Sequence, residues 1–192
     1  MSSFDLTTFA ALTGLVIACA NMSKLTSKEM WEVFKVSKAS MWFRPILFQV
    51  VWTLLYACII LSGYFFLNSS NPFNNWTVPA FAMFLVNIIL NGYWVRLFFD
   101  DQQRGWQSIL VISLIIATGI VYIVFTAISG WWISFGLWVP YLLWLVVALG
   151  LNISFTYATT TTSATTNAGI AQGHSKLKVP QINSGVIPPK KY

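Results

Sequence analysis

The sequence predicts an all-α integral membrane protein folded as a five-transmembrane-helix bundle, and three observations support this prediction. Of the 192 residues, 57% are hydrophobic and only 8% are charged, whereas soluble domains carry about 25% charged residues. Five apolar runs follow one another with short gaps, at or near the roughly 20 residues that a helix needs to cross a bilayer. The eleven Lys and Arg residues also sort to one side of such a bundle, as described below.

The first helix is predicted from about residue 6 to 22, and it is the weakest of the five because three threonines dilute its apolar character. The opening residues MSSFD carry no Lys or Arg. A cleaved signal peptide normally begins with basic residues, so we expect this helix to be retained. The polar connection over 23–41 is longer than a minimal turn, and long ordered loops tend to be functional lids. An interfacial amphipathic helix carrying Trp31 is the alternative interpretation.

The second and third helices each carry a polar and aromatic face. The second is predicted over 42–67, where Gln49, Trp52 and Tyr56 share one side of the helix. The third is predicted over 78–99, and one of its faces holds Asn87, Asn91, Trp94 and Phe98. A side-chain amide in the hydrocarbon region needs a partner, so these asparagines are expected to face the bundle interior. An ordinary interhelical hydrogen bond is the alternative for each single asparagine.

The fourth and fifth helices differ in character. The fourth, predicted over 106–127, is the most uniformly aliphatic, and its small-xxx-small step from Ser113 to Ala117 favours close helix packing. The fifth is predicted over 131–155. Residues recurring every fourth position form a stripe on it: Pro140, Trp144, Ala148 and Asn152. A lipid-facing surface does not need this variety, whereas a surface that packs on other helices around a flat molecule does.

From residue 158 the sequence is rich in Thr, Ser, Ala, Gly and Pro. Such a composition cannot bury enough apolar surface to fold alone, so 158–192 is predicted to be a disordered basic tail after a membrane domain over 1–157. With five spans, every Lys and Arg belongs to the side of the 23–41 loop and the tail, or to adjoining helix ends. The positive-inside rule makes this side cytosolic and explains the net charge of +6 without a nucleic-acid partner.

Several unusual residues are expected to converge in the half of the membrane nearer the basic side. They are Trp52, Asn91, Trp94, Trp106, Ala148 and Asn152, with Trp144 near mid-depth. Deep tryptophans beside amides and a small residue indicate an aromatic-walled cavity for a flat apolar ligand with a few polar handles. The two cysteines lie in apolar runs and the single histidine lies in the tail. We therefore expect no metal and no cofactor.

Five blocks of residues carry a family resemblance. They are Val51-Trp52-Thr53 with Tyr56, Leu90-Asn91 with Trp94, Phe98-Phe99, Gly105-Trp106, and Pro140-Tyr141 with Trp144, Ala148 and Leu151-Asn152. With this spacing the chain resembles the TspO/MBR family, the tryptophan-rich sensory proteins that include the mitochondrial translocator protein, also called the peripheral benzodiazepine receptor. The resemblance covers about residues 5 to 157.

This resemblance implies a five-helix bundle that often forms homodimers, with a pocket that opens toward the first loop and binds porphyrins, sterols and synthetic ligands. It also implies that the positions of Trp106, Trp144 and Ala148 line that pocket. Taken with the converging residues, the predicted ligand-binding set is Trp52, Asn87, Asn91, Trp94, Trp106, Tyr141, Trp144, Ala148 and Asn152. The predicted lid carries Trp31, Trp42 and Pro45, a single proline where the family usually has two.

Three functions fit these observations. The leading hypothesis is a membrane receptor or carrier for porphyrin-type or sterol-type ligands, with membrane lipid as a further partner. The second is an enzyme that degrades porphyrin in light by tryptophan chemistry, as is reported for some bacterial relatives. The chain offers this second function no acid–base pair and no nucleophile–base couple in the membrane. The third is a membrane scaffold whose bundle is merely packed.

Overall fold

In a computed structural model of the protein, the described residues are 5–22, 45–68, 75–99 and 105–176. They form five α-helices and no strand: α1 (Leu6–Ala20), α2 (Pro45–Leu67), α3 (Thr77–Phe99), α4 (Gly105–Ile128) and α5 (Trp132–Lys176). Among them, α2 to α5 each contain a span of 22 to 26 residues that is long and apolar enough to cross a membrane. The 15 residues of α1 are apolar but make a shorter helix. The predicted all-α membrane fold is confirmed.

The last helix is longer than the sequence predicts. Instead of ending near residue 155 before a disordered tail, α5 continues to Lys176. Extending an existing helix adds one hydrogen bond per residue without a new nucleation step, and the added stretch contains no proline. The chain nevertheless divides into two compact units, Met1–Thr159 and Thr160–Tyr192. Residues 177–192 lie outside the described residues.

Contacts near the helix ends show that successive helices alternate in direction. The backbone N–H of Asp5 donates to the hydroxyl of Tyr64 at 3.1 Å, so α1 begins beside the end of α2. We call this end of the bundle the Asp5 end. At the opposite end, Ser108 near the start of α4 bonds to Asn152 in α5. We call it the basic end, because the segments 23–44 and 100–104, which carry Lys and Arg residues, connect helices there.

The first helix packs against α2 and α3, and Gly92 is a point of close approach between α1 and α3. A Cβ at Gly92 would lie 2.7 Å from the carbonyl oxygen of Cys19 and 2.5 Å from the sulfur of Met22. Because the carbonyl belongs to the backbone, it cannot rotate away, and only glycine fits. It follows that α1 ends at the depth of Gly92. Phe99, the last residue of α3, lies about 10 Å further along that helix at 1.5 Å per residue.

The packing surface of α4 differs from the one that the sequence predicts. Ser113 and Ala117 are exposed, so their small-xxx-small step does not mediate packing among the helices that the structure describes. The buried stripe of α4 consists of Ser108, Val111, Ile112, Ile115, Gly119, Tyr122 and Thr126. Small and hydroxyl residues within this stripe allow α3 and α4 to pack along much of their length.

Substitution of Gly92 tests the close approach of α1 and α3. We expect Gly92→Ala to destabilise the protein by about 1–3 kcal/mol, the usual result of adding a methyl group to a filled interface. Gly14→Ala in α1 is the matched control, because nothing lies within 4 Å of its added Cβ. Thermal unfolding of both variants in one detergent measures the difference. An unchanged midpoint for Gly92→Ala would contradict the close approach.

Asp5 caps the start of α1. Its carboxylate accepts hydrogen bonds from the backbone N–H groups of Thr7 at 3.0 Å and Thr8 at 3.3 Å, and from the Thr8 hydroxyl. These bonds, those from Thr8 above all, hold the pKa of Asp5 below its usual value of 3.8. A negative charge is also favoured there by the helix dipole.

The lowered pKa predicts an acid-sensitive cap. A group whose pKa is lower in the folded state stabilises that state above its unfolded pKa, and this contribution is lost as the pH falls through the folded value. We expect the melting temperature of the wild type to fall below about pH 4 more than that of Asp5→Asn, whose amide oxygen caps at every pH. Parallel melting curves from pH 3 to 7 measure the difference, and identical pH profiles would rule out this cap.

Candidate functional site

A row of aromatic rings lies between the middle of the bundle and its basic end. Neighbouring ring centroids lie 5.2 to 6.2 Å apart. In order, the rings belong to Trp144, Phe48, Trp52, Trp94, Phe98 and Phe155. We call this row the aromatic ladder. Because α2, α3 and α5 each contribute two rings, the ladder exists only when these three helices pack together.

Trp52 is the centre of the ladder. Its ring lies 5.6 Å from that of Trp94 with an angle of 30° between the planes. Tyr56 lies 5.4 Å away, and Tyr141 approaches edge-on at 6.3 Å. Two tyrosines from different helices therefore flank Trp52 and fix its position.

A chain of hydrogen bonds passes beside the ladder. The hydroxyl of Tyr56 donates to Oδ1 of Asn91 at 3.1 Å, and Nδ2 of Asn91 donates to the hydroxyl of Tyr141 at 3.0 Å. That hydroxyl donates to Oδ1 of Asn87 at 2.9 Å, whose Nδ2 donates to the carbonyl oxygen of Ile115 at 2.7 Å. We call Tyr56, Asn91, Tyr141 and Asn87 the polar chain. It joins α2, α3, α4 and α5.

The two asparagines of the polar chain are held inside the protein. Asn87 and Asn91 are almost completely buried, and each uses both its carbonyl oxygen and its amide nitrogen in bonds to other helices. The interhelical hydrogen-bond interpretation therefore describes both residues in this structure. Because their partners Tyr56 and Tyr141 flank Trp52, the asparagines hold the centre of the ladder in place.

Asn152 joins α5 to the start of α4 at the basic end. The hydroxyl of Ser108 lies 2.7 Å from Oδ1 of Asn152 and 2.9 Å from the carbonyl oxygen of Gly105. The side chain of Asn152 is 0% exposed, and its Nδ2 has no acceptor among the described residues. A Cβ at Gly105 would lie 2.6 Å from the Thr156 hydroxyl, so the first residue of α4 lies directly against α5.

Other predicted site residues lie in different surroundings. Ala148 is buried one turn before Asn152, and Trp144 is half-buried at the mid-depth end of the ladder. Trp106, by contrast, is 62% exposed and packs edge-on against Tyr157 at 5.8 Å. The structure thus brings Trp144 into the ladder but places Trp106 on the outer surface of the described bundle.

The predicted lid falls mostly outside the described residues. Trp31 and Trp42 lie in the gap at 23–44, and Pro45 is the first residue of α2. A proline there costs little, because its missing N–H would have no intrahelical partner. The gap begins after the end of α1 and ends at the start of α2.

A second aromatic cluster, at the Asp5 end, was not predicted from the sequence. Its rings are those of Phe66, Phe84, Tyr122, Trp131 and Trp138. Beside it, the hydroxyl of Ser62 donates to the Ser134 carbonyl at 3.0 Å, and the hydroxyl of Ser134 donates to the Ser62 carbonyl at 2.8 Å. This reciprocal pair ties α2 to α5.

The buried residues of α5 follow a spacing that differs from that of the predicted stripe. They are Ser134, Trp138, Tyr141, Leu145, Ala148, Asn152 and Phe155, which alternate steps of four and three residues. The predicted stripe used steps of four alone, and at 3.6 residues per turn three such steps drift by about 120° around the helix. As a result, the stripe begins at the exposed Pro140 and reaches the buried face only at Ala148.

These features define a multi-pass α-helical membrane protein with a buried centre of aromatic and amide side chains. A sequence model of the TspO/MBR family matches residues 8–158, and the chain belongs to this family. A comparison with curated protein sequences finds no match. Family membership confirms the resemblance and supports a membrane receptor- or transporter-type role. The described residues contain no group of three or more metal-ligating side chains.

The polar chain predicts an energetic coupling between Tyr56 and Asn91. Asn91→Leu leaves the hydroxyl of Tyr56 without its acceptor, so we expect a loss of about 1–3 kcal/mol of unfolding free energy. Adding Tyr56→Phe removes both partners and should restore much of this loss. Unfolding of the two single variants and the double variant completes the thermodynamic cycle. Strictly additive losses would mean that the two side chains do not interact.

Proposed function

We propose that the protein is a membrane receptor or carrier that binds a porphyrin-type or sterol-type ligand along the aromatic ladder. The ladder itself is the observation that carries this proposal, because six rings from three helices form a continuous apolar wall. Flat conjugated or fused-ring molecules bury large areas against such walls. Membership of the TspO/MBR family supports the same role.

The accessible part of the ladder is the end formed by Trp144 and Phe48. Trp52 and Trp94 are buried, and their rings face each other, whereas Phe48 and Trp144 are only half-buried. A ligand therefore approaches between α2 and α5, where these two half-buried rings lie 6.2 Å apart. Ala148 follows Trp144 by one turn of α5, and its small side chain is buried there.

We assign the lid to the segment 23–44. Because α1 ends level with Gly92 in α3, this segment leaves α1 near the depth of Trp94 rather than above the end of the bundle. It rejoins the helices at Pro45, one turn before Phe48. Trp31 and Trp42, which lie outside the described residues, stay predicted lid residues.

The basic side is proposed to face the cytosol, following the positive-inside rule. Arg96, exposed in the last turn of α3, supports this placement because long cationic side chains reach toward the lipid headgroups. The exposed apolar side chains of α2 to α5 suit a lipid surrounding. A homodimer, which the family resemblance implies, stays a prediction.

Ligand binding is tested by titrating protoporphyrin into the full-length protein in lipid nanodiscs in the dark, with tryptophan fluorescence as the readout. We expect saturable quenching, and we expect Trp144→Ala to weaken binding about tenfold or more because one large ring leaves the wall. Trp132→Ala is the matched control, since Trp132 is exposed at the Asp5 end. A cholesterol competition arm then distinguishes the two ligand classes.

Two results would reject this proposal. Quenching that matches empty nanodiscs would favour the scaffold function, because a packed bundle without a ligand does not saturate. Light-dependent loss of the porphyrin Soret band, abolished in Trp144→Phe, would favour the photochemical enzyme. Equal weakening by Trp144→Ala and Trp132→Ala would leave a binding protein but place the ligand away from the ladder.

A further inference from the structure

We propose that Asn152 is a specificity-determining residue that binds an acceptor oxygen of the ligand, and that the ligand carries a carboxylate at this position. This inference rests on the proposed function and names the polar end of the same site. It rests on a comparison of the buried polar atoms that have hydrogen-bond partners within the bundle with those that have none.

The polar chain is the weaker candidate for binding a ligand. Its amide and hydroxyl groups already bond to one another and to the backbone of α4. Three buried polar atoms along the ladder that lack partners among the described residues are Trp52 Nε1, Trp94 Nε1 and Asn152 Nδ2. All three are N–H donors. A buried donor without an acceptor is unfavourable, so a ligand that brings acceptor oxygens binds better than one without them.

Asn152 is the donor best placed for a negatively charged acceptor. Its Oδ1 lies 2.7 Å from the hydroxyl of Ser108, so Nδ2 lies beside the first turn of α4 and has no partner among the described residues. The first N–H groups of a helix have no intrahelical partners, and the helix dipole favours an anion at that end. The unpaired Nδ2 of Asn152 therefore lies beside the start of α4, a helix of 24 residues.

This place adjoins the ladder. Phe155, its last ring, follows Asn152 by three residues on α5, and Ala148 precedes Asn152 by one turn. A ligand that fits both features has a flat apolar body with an acidic group at its edge. A porphyrin bearing carboxylate side chains has this shape. A sterol with a single neutral hydroxyl lacks the charge that the start of α4 favours.

The test compares two porphyrins that share one ring system. Mesoporphyrin carries two carboxylates, and octaethylporphyrin carries ethyl groups only. We expect the full-length protein in zwitterionic nanodiscs to bind mesoporphyrin about tenfold or more tightly than octaethylporphyrin, the contribution of a hydrogen bond to a charged group. Asn152→Leu should bring the two affinities within about threefold of each other by weakening mesoporphyrin alone.

Ser154→Ala is the control, since Ser154 is exposed on α5 and bonds only to its own helix at Gly150. It should keep the wild-type ratio. Equal affinities for both porphyrins in the wild type would overturn the inference and leave the proposed function intact. A preference that survives in Asn152→Leu would overturn the role of Asn152.

Failure of both porphyrins to bind saturably would overturn the proposed function and this inference with it. The comparison of the two ligands on the wild type needs no variant, so a folding defect in Asn152→Leu does not prevent a decision. Asn152→Ala, which removes the amide without adding apolar bulk, is the second variant for the same measurement.

Discussion

The hydrogen-bonded polar chain is the constraint on which the rest of the site depends. In a membrane, an amide or hydroxyl without a partner is costly, because no water replaces the lost bond. Asn87 and Asn91 meet this requirement by bonding to tyrosines on other helices. Those tyrosines flank Trp52, so the same bonds that hold four helices together also set the position of the aromatic ladder.

Buried polar groups at the two ends of the bundle have different hydrogen-bond partners. At the Asp5 end, Ser62 and Ser134 satisfy each other through reciprocal bonds, and aromatic rings pack around them. At the basic end, Asn152 Nδ2 keeps no acceptor among the described residues, and Trp138 Nε1, at the Asp5 end, has none either. Local violations of good pairing are typical of functional sites. Unpaired donors alone therefore do not single out one end, and the proposal for Asn152 depends also on the start of α4 beside it.

Sequence patterns predicted the helices better than their faces. The step of four from Pro140 to Asn152 marked the correct helix, but its alternating buried face contains Ser134, Trp138 and Tyr141 instead of Pro140. Likewise, the Ser113–Ala117 step in α4 is exposed. In a membrane helix both the lipid-facing and the protein-facing sides are apolar, so hydrophobic periodicity does not separate them, and only the neighbouring helices decide which side is buried.

The sequence by itself determined that the chain is a helical membrane protein of the TspO/MBR family, because hydrophobicity and motif spacing are local properties of the chain. It also identified Trp52, Asn91, Trp94 and Asn152 as unusual. Only the tertiary structure decided that Trp52 and Trp94 are ring neighbours. It also decided that both Oδ1 and Nδ2 of Asn91 have partners, whereas Asn152 Nδ2 has none among the described residues. Partners on separate helices have no fixed relation along the sequence, so their pairing arises when the helices pack.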